Sequence, residues 1–493
     1  MTPIENNVTI KSKTLTEWSC TMIKNNNKSL NLVIELLLIF SVYLIIGRLL
    51  IHSGDDWAWG GEIGIQRLQT GFDNYNGRYI GNIIEMIITR NMFLRLFFYA
   101  GINTGIIFLS YKLLDKKFLP RYYFLALLLI PIDIYKQTFG WLAGFANYNV
   151  STFFILLVFY LVIKCESNLT STILISISAF ISQFFVENVS IANVLLAAIG
   201  LIIALRNKEK IISCLAWLAG ASLGLILMFM NTAYHAQDNM RGISNVNINN
   251  FTNTLLTSWS ELFVKENALL LVAFSIVIYF LNNKKGFLAF LPIPIATYFA
   301  IRYLFNISYP TQSILTLAVE LIFILVFLFT LIFTVFKSSE ITSKSKSIFY
   351  FYLFSAVILL GPFLVLTPFG PRNILTSYVL LVLCLFELLS SARIPMPSSK
   401  IISLLTITLS IVFISLHLTN KIAENKRITA LKNDVSNGMT EVVFERLPYE
   451  FLGHDLTPLD GSVQSNRQKM YHNIPKEVKF KITEYKASSR LKR

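Results

Sequence analysis

The sequence predicts an all-α polytopic membrane protein of about 13 transmembrane helices, closed by a small external C-terminal α/β or β extension. Three observations carry this. Hydrophobic residues make up 54% of the 493-residue chain and charged residues only 14%, where a soluble domain carries roughly 25% charged residues. The mean hydropathy is +0.59. The apolar runs are continuous and long enough to cross a bilayer as helices, which takes about 20 residues, and they do not alternate as barrel strands do.

In chain order the runs predict spans at 29–51, 93–113, 120–135, 144–163, 169–186, 189–205, 211–231, 266–282, 286–305, 311–336, 347–367, 374–390 and 401–419. Basic residues crowd alternate loops: Lys112, Lys116, Lys117 and Arg121; Arg206, Lys208 and Lys210; Lys337, Lys344 and Lys346; Arg393 and Lys400. The intervening loops hold fewer, among them Arg67, Arg78, Arg241 and Lys265. The positive-inside rule then places the crowded loops and the N-terminus in the cytoplasm. Residues 1–28 form a cytoplasmic segment, 29–419 the membrane domain with an external loop at 52–92, and 420–493 an external domain. The polar stretch before the first span has no small-residue cleavage site, so no cleavable signal peptide is expected. Cys20, Cys165, Cys214 and Cys384 avoid the external loops on this topology, and no disulfide is expected.

The net charge of +15 follows from the cytoplasmic loops and a basic tail. No basic region interleaved with aromatics points to nucleic acid. Walker A, GxGxxG and CxxC motifs are absent, which removes the phosphate-loop, dinucleotide and simple redox classes. His235, His417, His454 and His472 have no metal-ligand spacing. In the tail, Val442–Phe444 and Val478–Ile482 alternate like short strands. The turn-rich segment between them carries Tyr449, Phe451 and Tyr471.

Polar groups that persist in an apolar chain mark function, and four places stand out. The first is the exit of the first span, with Asp55, Asp56, Trp57 and Glu62. Adjacent carboxylates repel, which raises the pKa of one; such a group serves as a general base or ligates a divalent cation. A solvated turn with interfacial tryptophans is the plain alternative. The second is Asn76-Gly77-Arg78, where Arg78 pairs with Asp55 or Asp56 or holds a phosphate. The third joins Trp141, Asn147 and Tyr148 to Glu187 and Asn188, with helix–helix packing as the alternative. The fourth is the turn from Thr367 to Asn373, where Arg372 either recognises a lipid phosphate or anchors the interface.

These motifs, in this order, resemble the GT-C superfamily of membrane glycosyltransferases. The chain is similar to uncharacterised bacterial multi-pass members and to the serotype-converting glucosyltransferases that decorate O-antigen. The likeness rests on Asp55-Asp56-Trp57, Asn76-Gly77-Arg78, the Trp141, Gly144, Asn147, Tyr148 element, Glu187-Asn188 and Pro371-Arg372, and it covers about 30–390. The 420–493 tail departs from it. The resemblance implies transfer of a sugar from a polyprenyl-phosphate donor to a cell-surface glycan on the external face of the plasma membrane. Asp55 or Asp56 is then the base, Arg78 and Arg372 hold the donor phosphate, and Trp57, Glu62, Trp141, Asn147, Tyr148, Glu187 and Asn188 bind substrate. It requires no cofactor, although paired carboxylates leave room for a divalent cation. Partners would be membrane lipid, the glycan acceptor, and a companion flippase and donor synthase, with no nucleic acid. Two other classes compete. A polysaccharide polymerase would use larger, arginine-rich external loops. A lipid-linked sugar flippase or transporter would place charges at the membrane midplane, where only Glu35 and Glu320 sit.

Overall fold

The structure, a computed structural model, describes residues 15–115, 117–235, 251–252, 254–307, 314–391, 394 and 397–485, with side chains from residue 29 onward. Residues 1–14 of the predicted N-terminal segment, and Lys116, Arg241 and Arg393 of the charge pattern, lie outside these. Of the described residues, 76% are helical.

Among the described residues, ten helices are long and apolar enough to cross a membrane: Ser29–Leu49, Met92–Leu113, Leu142–Lys164, Glu187–Asn207, Ile211–Phe229, Phe287–Leu304, Leu315–Lys337, Ser343–Leu364, Pro371–Ser391 and Ser399–Ser436. Each overlaps one predicted span. The other three predicted spans take different forms. The run at 120–135 breaks into Pro120–Leu128 and Ile132–Gln137, because Pro131 lacks an N–H and steers Ile130 out of helical geometry. The run at 169–186 forms only the shorter helix Leu169–Phe184. The run at 266–282 becomes Ala268–Leu281, which meets the π-helical Thr254–Lys265 at a 73° bend.

Two spans are central. Leu142–Lys164 and Pro371–Ser391 are 72% and 78% buried, against 22–44% for the other eight. Both carry site motifs at their N-terminal ends, so the motifs rest on the two most buried spans of the bundle. Carboxylates inside apolar helices are paired, as lipid requires: Glu35 with Arg121 at 2.9 Å, Glu387 with Lys117 at 2.6 Å and Glu320 with Arg302 at 2.5 Å.

The predicted domain boundary at 419/420 falls inside the helix Ser399–Ser436, which continues into the tail. Beyond it, β1 (Glu441–Glu445) and β2 (Lys479–Thr483) pair in parallel, with Glu441 opposite Lys479. Parallel pairing requires a crossover, and the connecting chain carries the helix Val463–Tyr471. Phe444 and Phe480 stack at 4.9 Å in its core. Arg427 fastens the unit to the long helix: it pairs with Glu424 at 2.5 Å and donates to Glu445 O, Thr457 Oγ1 and Leu456 O. The unit docks on the site end of the bundle. A Cβ on Gly140 would lie 1.9 Å from Leu452 O, so only glycine admits this contact.

Candidate functional site

Four separate stretches converge on one cleft of about 80 Å³, room for several waters at roughly 10–15 Å³ each. Eight of the residues singled out from the sequence line it: Asp55, Arg78, Trp141, Asn147, Tyr148, Glu187, Asn188 and Arg372. Asp56, Trp57 and Glu62 do not. Trp59, Tyr75, Asn76, Asn82, Glu85, Thr367 and Pro368 also line the cleft.

The adjacent carboxylates diverge. Asp56 is fully buried and spans two segments, accepting from Ser53 N at 3.0 Å and Ala143 N at 2.8 Å. Burial pushes its carboxyl up to about 7 against these two donors, and Asp55 adds only the smallest contribution. The expected repulsion is therefore not what perturbs it. Asp56 is a bracket between the first loop and the start of the Leu142–Lys164 span. Asp55 faces the cleft and meets the tail: Arg467 Nη1 donates to its Oδ1 at 2.5 Å, and Gln464 Nε2 lies at 3.4 Å from the same oxygen. Trp57 is buried and Glu62 is exposed on the helix Glu62–Gln69, so neither reaches the cleft.

Arg78 pairs with Glu187 rather than with Asp55 or Asp56. Its Nε donates to both Glu187 oxygens, at 2.9 and 3.1 Å, and Nη2 forms the second arm of the fork. Tyr234 donates to Glu187 at 2.7 Å and accepts from Gly77 N at 3.2 Å. The glycine before Arg78 is dictated by packing, since a Cβ there would lie 2.1 Å from Met228 O. Asn76 accepts from Arg78 N and Asn82 Nδ2, each at 3.0 Å, which fixes the turn that aims Arg78.

Asn147 and Tyr148 sit in a π-helical turn, Phe145–Asn149, that opens the central span. Such turns offset side chains from the regular helical faces and are frequent at functional sites. Asn147 donates to Ala143 O at 2.9 Å and Asn188 to Leu359 O at 2.8 Å. The Oδ1 atoms of both are buried without a hydrogen-bond partner, which is costly unless a ligand donates to them.

Arg372 lies 5.7 Å from the Trp141 ring centroid and 5.8 Å from that of Tyr148. Its Nε is buried and unbonded, and among the described residues no carboxylate is within ion-pair distance of it. A guanidinium with a buried, unbonded Nε is stabilised by an anion. The His454 ring lies tilted against Trp141, with centroids 4.5 Å apart. Burial first, then Arg372, lower its pKa to about 4, so it is neutral near pH 7. The described residues contain no cluster of three or more His, Cys, Asp or Glu side chains suited to a metal ion. Because Asp55 and Asp56 aim apart, the pair does not fit a shared cation.

Asn82 and Glu85 stand four and seven residues after Arg78 on one face of Tyr79–Arg90, a periodicity that points to them in the sequence. No sequence signal points to Arg467 or His454, which approach from the far end of the chain. In comparisons with known proteins, the chain matches no family model, no curated protein and no solved structure.

Proposed function

We propose that the chain is a membrane glycosyltransferase that moves a sugar from a polyprenyl-phosphate donor to a hydroxyl of a cell-surface glycan. One observation carries the reading: Arg372, half-buried, with its Nε buried and unbonded and no carboxylate partner among the described residues, shares a cleft at the end of an apolar bundle with a carboxylate, Asp55. A lipid phosphate is an anion that arrives at such a depth, and a fork-shaped donor suits it.

In this reading Asp55 takes the proton of the attacking hydroxyl. The bond from the anomeric carbon to the phosphate oxygen breaks, and Arg372 stabilises the charge that collects on the phosphate. Asn147 and Asn188 accept from sugar hydroxyls through their unbonded Oδ1 atoms. Arg78, held by Glu187, shapes the wall and leaves the phosphate to Arg372. Asp56 ties the first loop to Ala143, and Trp141 Nε1 donates to Ser53 O of the same loop. No step calls for a metal.

The charge pattern of the loops supports placing the cleft on the external face of the plasma membrane. A donor made at the cytoplasmic face then requires a companion synthase and a flippase. The test is sugar transfer in isolated membranes supplied with radiolabelled polyprenyl-phosphate hexoses. Wild type should label a glycan, and Asp55→Asn and Arg372→Gln should not at matched protein levels. Transfer undiminished in both variants would sink the reading.

A further inference from the structure

The ion pair between Asp55 and Arg467 joins the membrane domain to the tail, and it has a consequence for the reaction. Arg467 lies on the helix Val463–Tyr471. Its Nη1 reaches Asp55 Oδ1 at 2.5 Å and Gln464 Oε1, one turn earlier, at 3.2 Å. Tyr471, at the end of the same helix, rests on the first loop: its ring is 5.2 Å from that of His52, and a Cβ on Gly60 would meet it at 2.9 Å. The helix is thus seated on the loop that bears Asp55. The anchor of the tail unit lies elsewhere, in Arg427 and the β1–β2 pair. Arg467 can therefore leave Asp55 by a side-chain rotation without unseating the unit. The pair is also partly open, with side chains 19% and 29% exposed, so an incoming polar group can reach it.

We infer that Arg467 is a latch on Asp55 that restrains the site until the acceptor arrives. This rests on the glycosyltransfer reading. A base must come within about 2.6–3.2 Å of the proton it takes, and the Asp55 oxygen facing the tail is occupied by Arg467. Water is always present at an external cleft and competes with the acceptor. In the competing reaction a water oxygen bonds to the anomeric carbon, and the carbon–oxygen bond to phosphate breaks with its electron pair left on the polyprenyl phosphate. The water proton passes to Asp55 and then to solvent. A single water can reach the latched carboxylate, but it makes too few contacts to displace the guanidinium from Oδ1. A glycan acceptor makes many contacts along the cleft and the tail, and it opens the latch as it binds. Arg467 acts through Asp55 and is a positioning residue.

The test measures partition. Purified full-length protein in detergent receives polyprenyl-phosphate hexoses with no acceptor, and free sugar is followed. The same variants are assayed for transfer in membranes. Arg467→Gln should release free sugar several-fold faster than wild type while its transfer does not rise. Arg467→Lys should restore most of the restraint. Asp55→Asn/Arg467→Gln should release none. Free-sugar release by Arg467→Gln no faster than wild type, in protein that elutes as a single species, overturns the latch while wild-type transfer leaves the glycosyltransfer reading standing. If wild type transfers nothing in membranes, that reading falls and the latch falls with it.

Discussion

Arg78 and Glu187, 109 residues apart in sequence, form a forked ion pair in the wall of the cleft. The pair decides which arginine is available to an anion. Arg78 has its carboxylate; Arg372, on the facing turn, has two aromatic rings and no carboxylate. Two arginines that look equivalent in the sequence therefore have different roles, and substitutions should separate them.

Arg78→Gln strands the Glu187 carboxylate at a site where its side chain is 9% exposed. Breaking a buried pair on one side costs about 3–5 kcal/mol. The protein should lose thermal stability in detergent, read by fluorescence-detected size exclusion. Arg78→Gln/Glu187→Gln should recover much of the loss, because contacting residues are not additive. A double variant as unstable as the single one would show that the pair is not the cause.

Arg372→Gln strands no carboxylate, so its melting temperature should stay near that of wild type. Its defect should appear with the donor: weaker retention of polyprenyl-phosphate sugar and slower transfer. Loss of one such electrostatic donor typically costs about 10²–10³ in rate. A large loss of stability in Arg372→Gln would assign the residue a structural role.

Asp55→Asn should lower transfer by about 10²–10⁴-fold, the usual contribution of a general base, with expression and elution unchanged. Asp55 is partly exposed and its partner Arg467 reaches solvent, so the fold does not depend on the pair. Comparable transfer by Asp55→Asn would remove it from the chemistry.

Asp56 yields a pH prediction. Its folded-state pKa is about 7 against an ordinary 3.8, so between these values the native state holds a proton that the unfolded chain has lost. Its contribution to stability is present below about pH 4 and declines as pH rises to about 7. The melting temperature of wild type should fall over that window relative to Asp56→Asn. The substitution should also destabilise at every pH, since an asparagine amide has one accepting oxygen and cannot accept from both Ser53 N and Ala143 N, which use different oxygens of Asp56. A wild-type curve parallel to that of Asp56→Asn would mean that Asp56 is ionised throughout.

Gly140→Ala tests tail docking. Its Cβ would meet Leu452 O at 1.9 Å, which the backbone resolves only by moving apart. The tail should become sensitive to limited proteolysis near 452–470, whereas an unchanged cleavage pattern would show that the two segments do not touch.

Much of the site was legible before the fold. Polar residues such as Asp55, Asn147, Glu187 and Arg372 stand out against an apolar background because lipid makes each of them costly, and the structure gathers these four around one cleft. Adjacency misleads at Asp55 and Asp56. Neighbours in sequence share a backbone, but the first turn of a helix sends successive side chains about 100° apart, so one enters the cleft and the other the protein interior. At 120–135, hydropathy alone does not register the break that Pro131 makes between Pro120–Leu128 and Ile132–Gln137.

The sequence by itself determined the class of the protein and the register of most of its apolar helices, because burial in lipid depends on composition over a window of about 20 residues. Only the tertiary structure decided the partners: Arg78 with Glu187, Asp56 with two backbone amides, Asp55 with Arg467, and Arg372 with no carboxylate. Those outcomes depend on side-chain distances of about 3 Å between segments that the chain brings together from 87, 109 and 412 residues apart. Coulombic and hydrogen-bond energies change steeply over such distances, and one-dimensional spacing carries no record of them.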